Sequence, residues 1–336
     1  MDTYILGIET SCDETSAAVV KNGTEVLSNI ISSQADIHRL YGGVVPEVAS
    51  RNHLENILPV IREALTEAGI TAKDLTGIGV ANEPGLIGAL LVGLMAGKGL
   101  SYSLGIPLIP VHHLRGHVYA NMLEHQLGDF PILALIVSGG HTTLALWESH
   151  GLIRVLGETK DDAAGEALDK IARKMGLPYP GGPEIERLAA EGKPGALAFP
   201  VARLGEGSLD FSYSGLKSAV INYLNQEKQG GRQPSLPDVA FAVQEAVIRS
   251  IMEKVALAVR RYGVKELVLG GGVTANKSLV RALESQGQEY GFRVFHPSPL
   301  LCTDNGVMIA AAAHYLAQEG RIGGLETNAR ANAPLS

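Results

Sequence analysis

Two histidines four residues apart, His113 and His117 in the run HHLRGH, carry the sharpest chemical signal in the chain. Positions i and i+4 share one face of a helix, so two imidazoles at this spacing can meet a single metal ion. The run is not HExxH: Leu114, Arg115 and Gly116 stand between the histidines, and the glutamate base of the zinc proteases is missing from its place. Asp304 would complete the set, from the polar turn 302–306 ahead of an apolar helical stretch, 307–316; its competing role is to cap that helix. Two His and one carboxylate with open positions favour iron(II) first and zinc second, and such an ion can polarise a carbonyl or hold a phosphate. With His112 and His125 close by, a coincidence of surface histidines is the alternative.

Three turns offer a second kind of chemistry. Glu9–Ser16 mixes backbone N–H groups, hydroxyls and carboxylates, as loops that hold phosphate oxygens or an associated ion do, although a plain polar hairpin has the same composition. Ser138-Gly139-Gly140-His141 and Gly270–Asn276 each follow an apolar run, and adjacent glycines let backbone approach a polyanion at the end of a strand. Asp169, on a predicted helix over 162–175, is placed either to accept from ligand hydroxyls or simply to be solvated. Cys12 and Cys302 each sit in one of these polar turns, but they are the only 2 cysteines, which gives no disulfide framework and fits a reducing compartment.

These residues need elements to position them. Tyr4–Gly7 and Ala17–Val20 read as strand, turn, strand, and the pattern returns at Ile132–Val137 and Leu144–Trp147, so two halves begin alike. Helical periodicity over 46–68 (Val48, Leu54, Ile57, Leu58, Ile61, Leu65) is followed by a strand at 77–81 and a helix at 86–104. The second half predicts a turn at 178–183, a long amphipathic helix over 239–262, a buried strand at 266–269 and a helix opening near Lys277. Mixed polarity and turn signals make 192–237 an insertion, with 208–218 its most patterned part. At 336 residues, 46% hydrophobic and 19% charged with 40 glycines, the chain is an α/β protein too long for one compact unit, which predicts two lobes with a cleft between them.

A net charge of -7 argues against nucleic-acid binding by bulk electrostatics, so any RNA must be met by a local patch or with a partner's help. No uninterrupted apolar run approaches the roughly 20 residues of a membrane span, and MDTYILGIET lacks a basic start and a cleavage site, so a cytoplasmic protein without a membrane role is expected.

Read in order, GIETSCDET (7–15), YGGVVPEVASRNH (41–53), HHLRGH (112–117), VSGGHT (137–142), DDAAGEALDK (161–170), YPGGP (179–183), FSYSGLK (211–217), GGGVTANKSL (270–279) and CTDNGVMIA (302–310) resemble the TsaD family across nearly the whole chain. The resemblance implies the two-lobed actin, Hsp70 and sugar-kinase (ASKHA) fold, with a duplicated core and a nucleotide in the cleft. On that pattern 1–125 forms the N-terminal lobe, with a helix at about 304–325 packing back on it, and 130–303 forms the C-terminal lobe, including the insertion at 192–237. It implies a metal on His113, His117 and Asp304, an acyl-adenylate against Ile136, Val137, Ser138, Gly139 and Gly140, and its nucleoside held by Asp169, Gly182, Glu186 and Asn276. The implied reaction moves a threonylcarbamoyl group from threonylcarbamoyl-AMP, supplied by a separate synthase, to N6 of the adenosine beside the anticodon. The tRNAs concerned read codons that start with A, and AMP is released. An ATP analogue would occupy the same nucleotide site. Asp13, Glu14 or the substrate phosphate would accept the proton from the adenine amine, and the sequence does not choose among them. The family acts with an inactive paralogue and a small ATPase (TsaB and TsaE type).

Glu83 stands where the family usually has Gly, Glu186 where Asp is more common, and the tail 328–335 lacks the family's usual Arg and Trp. Other functions on the same fold are a sugar or ATP phosphotransferase, for which paired imidazoles have no evident use, a metalloprotease, which lacks its base, and a non-catalytic scaffold.

Overall fold

The computed structural model describes residues 2–335. Its chain divides into two compact units: residues 1–130, 148–154 and 297–336 in the first, and 131–147 and 155–296 in the second. The tip of the 142–158 hairpin thus belongs to the first unit, because the Tyr119 hydroxyl donates to the His150 carbonyl at 2.5 Å and the His150 ring stacks on Tyr315 at 4.5 Å.

The first unit opens with β1 (Tyr4–Glu9), β2 (Glu14–Lys21) and β3 (Glu25–Ser33), then α1 (Ala35–Arg39), α2 (Pro46–Glu67), β4 (Gly77–Glu83), α3 (Ile87–Leu104), β5 (Leu108–His112) and α4 (His113–Tyr119). Its sheet order is β3-β2-β1-β4-β5, with β1 antiparallel to β2 and parallel to β4. The second unit is built on β6 (Ile132–Val137), β7 (Thr142–Ser149) and β8 (Leu152–Glu158), followed by α5 (Ala164–Lys174), α6 (Gly181–Ala189), α7 (Ser214–Gln229), α8 (Leu236–Tyr262), β9 (Glu266–Gly270), α9 (Lys277–Tyr290) and β10 (Arg293–Phe295). Its sheet repeats the plan, β8-β7-β6-β9-β10, with β6 antiparallel to β7 and parallel to β9. The chain then returns to the first unit through α10 (Pro299–Cys302) and α11 (Gly306–Gln318).

Helix boundaries moved where caps, not apolar spacing, set them. Ser235 accepts from the Asp238 N–H and Pro237 sits in the first turn, so α8 starts at 236 and not at the first buried apolar residue, Val239. The 178–183 turn ends early: α6 opens at Gly181, placing Gly182 in its first turn. The 192–237 segment holds α7 and adds no strand to the sheet; Asp161 secures it, accepting from the Tyr213 and Ser214 N–H groups and the Ser212 and Ser214 hydroxyls.

Close backbone approaches place the histidines. A Cβ at Gly7 would run into the Gly306 carbonyl, so β1 and α11 touch only because residue 7 is glycine. Gly116 does the same between α4 and α11: a Cβ there would lie 3.0 Å from both Ile309 Cδ1 and Met308 Cγ. His112 caps α4 by accepting from the Leu114 N–H, and its Nε2 lies 3.3 Å from the Ala333 carbonyl. The tail is tied to the turn after β4, where Arg330 Nε lies 2.6 Å from Glu83 and the Gly85 N–H donates to the Ala331 carbonyl. Two departures from the family pattern, Glu83 and the tail, therefore meet. Helix α3 is long and apolar enough by length and composition to cross a membrane, but its buried face, Ala89, Leu90, Gly93, Leu94 and Gly97, packs on the sheet.

Candidate metal centre and glycine-rich loops

His113 and His117 lie one turn apart on α4, and Asp304 lies in the short link between α10 and α11. Their ligand atoms all fall within 4.8 Å of one another, and this is the group of this kind among the described residues. Asp304 Oδ1 is 3.5 Å from His113 Nε2 and 3.2 Å from His117 Nε2. Both ring nitrogens of His117 are buried without a hydrogen bond among the described residues, so the 3.2 Å approach to Asp304 is proximity without hydrogen-bond alignment. Buried polar nitrogens left without hydrogen bonds are costly. Two imidazoles and a carboxylate that converge while one ring makes no hydrogen bond among the described residues fit a cation held between them. Capping, the competing role for Asp304, belongs to its neighbour: Asn305 accepts from the Met308 N–H at the start of α11.

His113 is charged differently from a surface histidine. Burial alone would lower its pKa, but the Asp304 and Glu9 carboxylates outweigh it and push the value up to about 9. Glu9 is wholly buried at the end of β1, with Oε2 2.9 Å from His113 Nδ1 and Oε1 accepting from the Ser11 N–H. The composition of 9–16 predicts a polar turn that either holds phosphate or is a plain hairpin, with Glu9 in it; Glu9 is instead the last residue of β1 and is buried. A carboxylate closing an otherwise apolar strand was the available signal.

The turn between β1 and β2 is braced by His53, which donates from Nε2 to the Cys12 carbonyl (2.9 Å) and accepts at Nδ1 from the Thr15 hydroxyl (2.8 Å). Burial lowers the pKa of His53, keeping it neutral for this double role. Cys12 and Cys302 are free thiols; burial and the Asp13 and Asp304 carboxylates push Cys12 well above the ordinary thiol range, and Cys302 donates to the Pro297 carbonyl.

Burial, reinforced by the Asp13 and Asp304 carboxylates, raises Glu14 to about 9. The folded value lies above the ordinary 4.5, so folded protein keeps a proton that the unfolded chain gives up. This contribution to stability is full below about pH 4.5 and is lost as pH rises toward about 9. In chelator-treated protein, Glu14→Gln should therefore gain stability relative to wild type across that window, read by denaturant unfolding at several pH values. Parallel pH profiles for the two proteins would refute it.

In the second unit, Ile136 and Val137 end β6, and Ser138 and His141 close the following turn. A Cβ at Gly139, Gly140, Gly182 or Gly272 would meet nothing within 4 Å, so these positions present bare backbone to open space. Gly271 differs: its φ is +88° and a Cβ would press on the Val137 carbonyl at 2.5 Å, so this glycine serves the fold. Asp169, midway along α5, accepts from the Gly181 N–H at the start of α6; Glu186 of α6 accepts from the Lys277 N–H at the start of α9; and Asn276 caps α9 by accepting from the Leu279 N–H. Asn276 also donates to Gln244, a residue the sequence reading did not single out. Leu168, Gly182, Ile185, Gln244, Val273 and Asn276 line a narrow apolar slot of about 20 Å³ there.

The backbone is similar to HypF from T. kodakarensis (TM-score 0.65, 18% identity, 95% of this chain and 48% of that one). It is also similar to the (R)-2-hydroxyglutaryl-CoA dehydratase component A of Acidaminococcus fermentans (TM-score 0.55, 15% identity, 95% and 99%). At such identities the likeness speaks for the fold, and the fold is the actin, Hsp70 and sugar-kinase (ASKHA) architecture. The sequence profile of the TsaD family, described as tRNA N6-adenosine threonylcarbamoyltransferase, matches residues 25–311. Proteins of that name from Moorella thermoacetica (52% identity; 100% of this chain, 98% of that one) and Bacillus subtilis (50%; 100% and 96%) align throughout. The chain belongs to the tRNA N6-adenosine threonylcarbamoyltransferase (TsaD) family.

Proposed function

We propose that this chain transfers the threonylcarbamoyl group of threonylcarbamoyl-AMP to N6 of the adenosine beside the anticodon, in tRNAs that read codons starting with A, and releases AMP. The observation that carries the reading is the convergence of His113, His117 and Asp304 in a chain that matches the family over 25–311. Those three residues would hold one divalent ion, iron(II) before zinc on the two-His, one-carboxylate donor set. Bound there, it supplies Lewis-acid stabilisation of negative charge on carbamoyl and phosphate oxygens.

The backbone from Ile136 to Gly140 receives the acyl-phosphate, since Gly139 and Gly140 have no side chains to hold it away. Asp169, Glu186 and Asn276 take the ribose and base beside Gly182. A carboxylate accepts through two oxygens, so a donated backbone N–H to one does not exhaust it. Asp169→Asn keeps the acceptor for the Gly181 N–H and removes the charge; KM for the adenylate should rise about 10-fold with kcat little changed, and an unaltered KM would remove Asp169 from the site.

The adenine amine attacks the carbamoyl carbon, the C–N bond forms, and AMP leaves with the electrons of the C–O bond. A proton leaves the amine in the same passage. Asp13 and Glu14, at the turn between β1 and β2, and the substrate phosphate are the groups that would accept it. An anticodon-loop base is unpaired and costs little to present.

With a net charge of -7, the chain leaves part of tRNA binding to partners, an inactive paralogue and a small ATPase of the TsaB and TsaE type, in the cytoplasm. Exposed Ile87, Leu91 and Met95 at four-residue spacing on α3, and Leu54 and Leu58 on α2, support a protein partner on those helices. The test is replacement: cells in which this chain is the sole source of the activity should hold threonylcarbamoyladenosine in hydrolysed tRNA, and its absence with both partners co-expressed would refute the reading.

A further inference from the structure

We propose that Glu9 is a positioning residue for the metal centre: it fixes the His113 ring through Nδ1 so that Nε2 is the nitrogen presented to the ion. This rests on the reading of His113, His117 and Asp304 as one metal set. Glu9 is 0% exposed, and a carboxylate that deep in a protein persists only when its oxygens are bonded. Both are: Oε1 accepts the Ser11 N–H at 2.5 Å, and Oε2 lies 2.9 Å from His113 Nδ1. The Ser11 hydroxyl lies 3.1 Å from the same nitrogen, so Nδ1 is enclosed by β1 and the turn that follows it. The opposite nitrogen, Nε2, points toward Asp304 Oδ1 at 3.5 Å.

This is the arrangement in which an outer carboxylate sets the tautomer and rotation of a ligating imidazole and makes it a better donor. His117 has no such partner: its Nδ1 is buried without a hydrogen bond among the described residues. The two histidines thus differ at Nδ1, which a carboxylate braces in His113 and which makes no hydrogen bond among the described residues in His117. Because Glu9 also receives the Ser11 N–H, it joins the turn carrying Asp13 to helix α4.

The test uses the purified full-length chain and cobalt(II), whose visible absorption reports the ligand field. Wild type, Glu9→Gln and Glu9→Ala are titrated with cobalt, and each metal-free form is melted. The expected result is a cobalt Kd weakened about 10–100-fold in Glu9→Ala, with a smaller loss in Glu9→Gln and a changed absorption band in both. Affinities within twofold of wild type in folded variants would overturn the assignment of Glu9 while leaving the metal set intact. No cobalt uptake by wild type would overturn both. A second measurement needs no variant: long-range proton–nitrogen spectra of the zinc-loaded wild type should show the His113 proton on Nδ1, and a proton on Nε2 would overturn the proposal.

Discussion

His117→Ala is expected to lose stoichiometric metal and to lower the transfer rate about 10²–10³-fold, while the metal-free protein melts close to wild type. The His117 ring does not support the fold through hydrogen bonds. Its nitrogens make no hydrogen bond among the described residues, so truncation strands no partner, and removing two unsatisfied polar atoms offsets part of the loss from the vacated volume. A histidine kept for the fold would show the reverse, a large loss of stability with metal retained. Elemental analysis, thermal melting and the transfer assay on the same preparation separate the cases. Asp304→Ala should follow His117→Ala in metal content, and because Asn305 caps α11, that helix should survive the change.

Gly7→Val should be strongly destabilising. A Cβ at residue 7 would run into the Gly306 carbonyl and come within 2.8 Å of Ala310 Cβ, so β1 and α11 must separate or the strand must shift. Overpacking of this kind costs about 1–3 kcal/mol and occasionally more, and here the obstacle is backbone, which cannot rotate aside. Residue 306 is two positions from Asp304, so any shift moves a proposed ligand as well. The expected outcome is a sharply lower melting temperature or insoluble protein. Gly139→Ala, where a Cβ meets nothing within 4 Å, should melt like wild type and serves as the control. Equal melting of Gly7→Val and Gly139→Ala would contradict the packing described for β1.

Much of the fold could be read from the residues because its signals are local. The strand–turn–strand copies at 4–21 and 132–147 are apolar runs around polar or glycine turns, and the helices at 46–67 and 277–290 carry their own periodicity or cap. Boundaries slipped where a cap preceded the apolar pattern, as at Ser235, or where a Pro/Gly run began a helix, as at Gly181. Among the candidate site residues, HHLRGH was legible because i, i+4 spacing is a helical statement, and Asp304 because it sits in a polar turn before a helix. The inward turn of Glu9 is not written in its neighbours: whether a carboxylate at a strand end turns to solvent or to the core depends on its tertiary partner, and His113 is 104 positions away. Gln244 was silent for the same reason, since its one distinguishing contact is with Asn276 on another element. Gly271 and Gly272 look alike in sequence, and the fold separates them through the positive φ of Gly271 and the nearness of the Val137 carbonyl to it.

The central claim is that this chain carries the transfer itself. The most direct measurement incubates the metal-loaded protein and its partner subunits with tRNA and preformed threonylcarbamoyl-AMP labelled in the threonine, and counts label in the tRNA. Label should be recovered as threonylcarbamoyladenosine beside the anticodon, and lost when His117→Ala replaces the wild type. Intact adenylate and unlabelled tRNA in the presence of metal and both partners would contradict it.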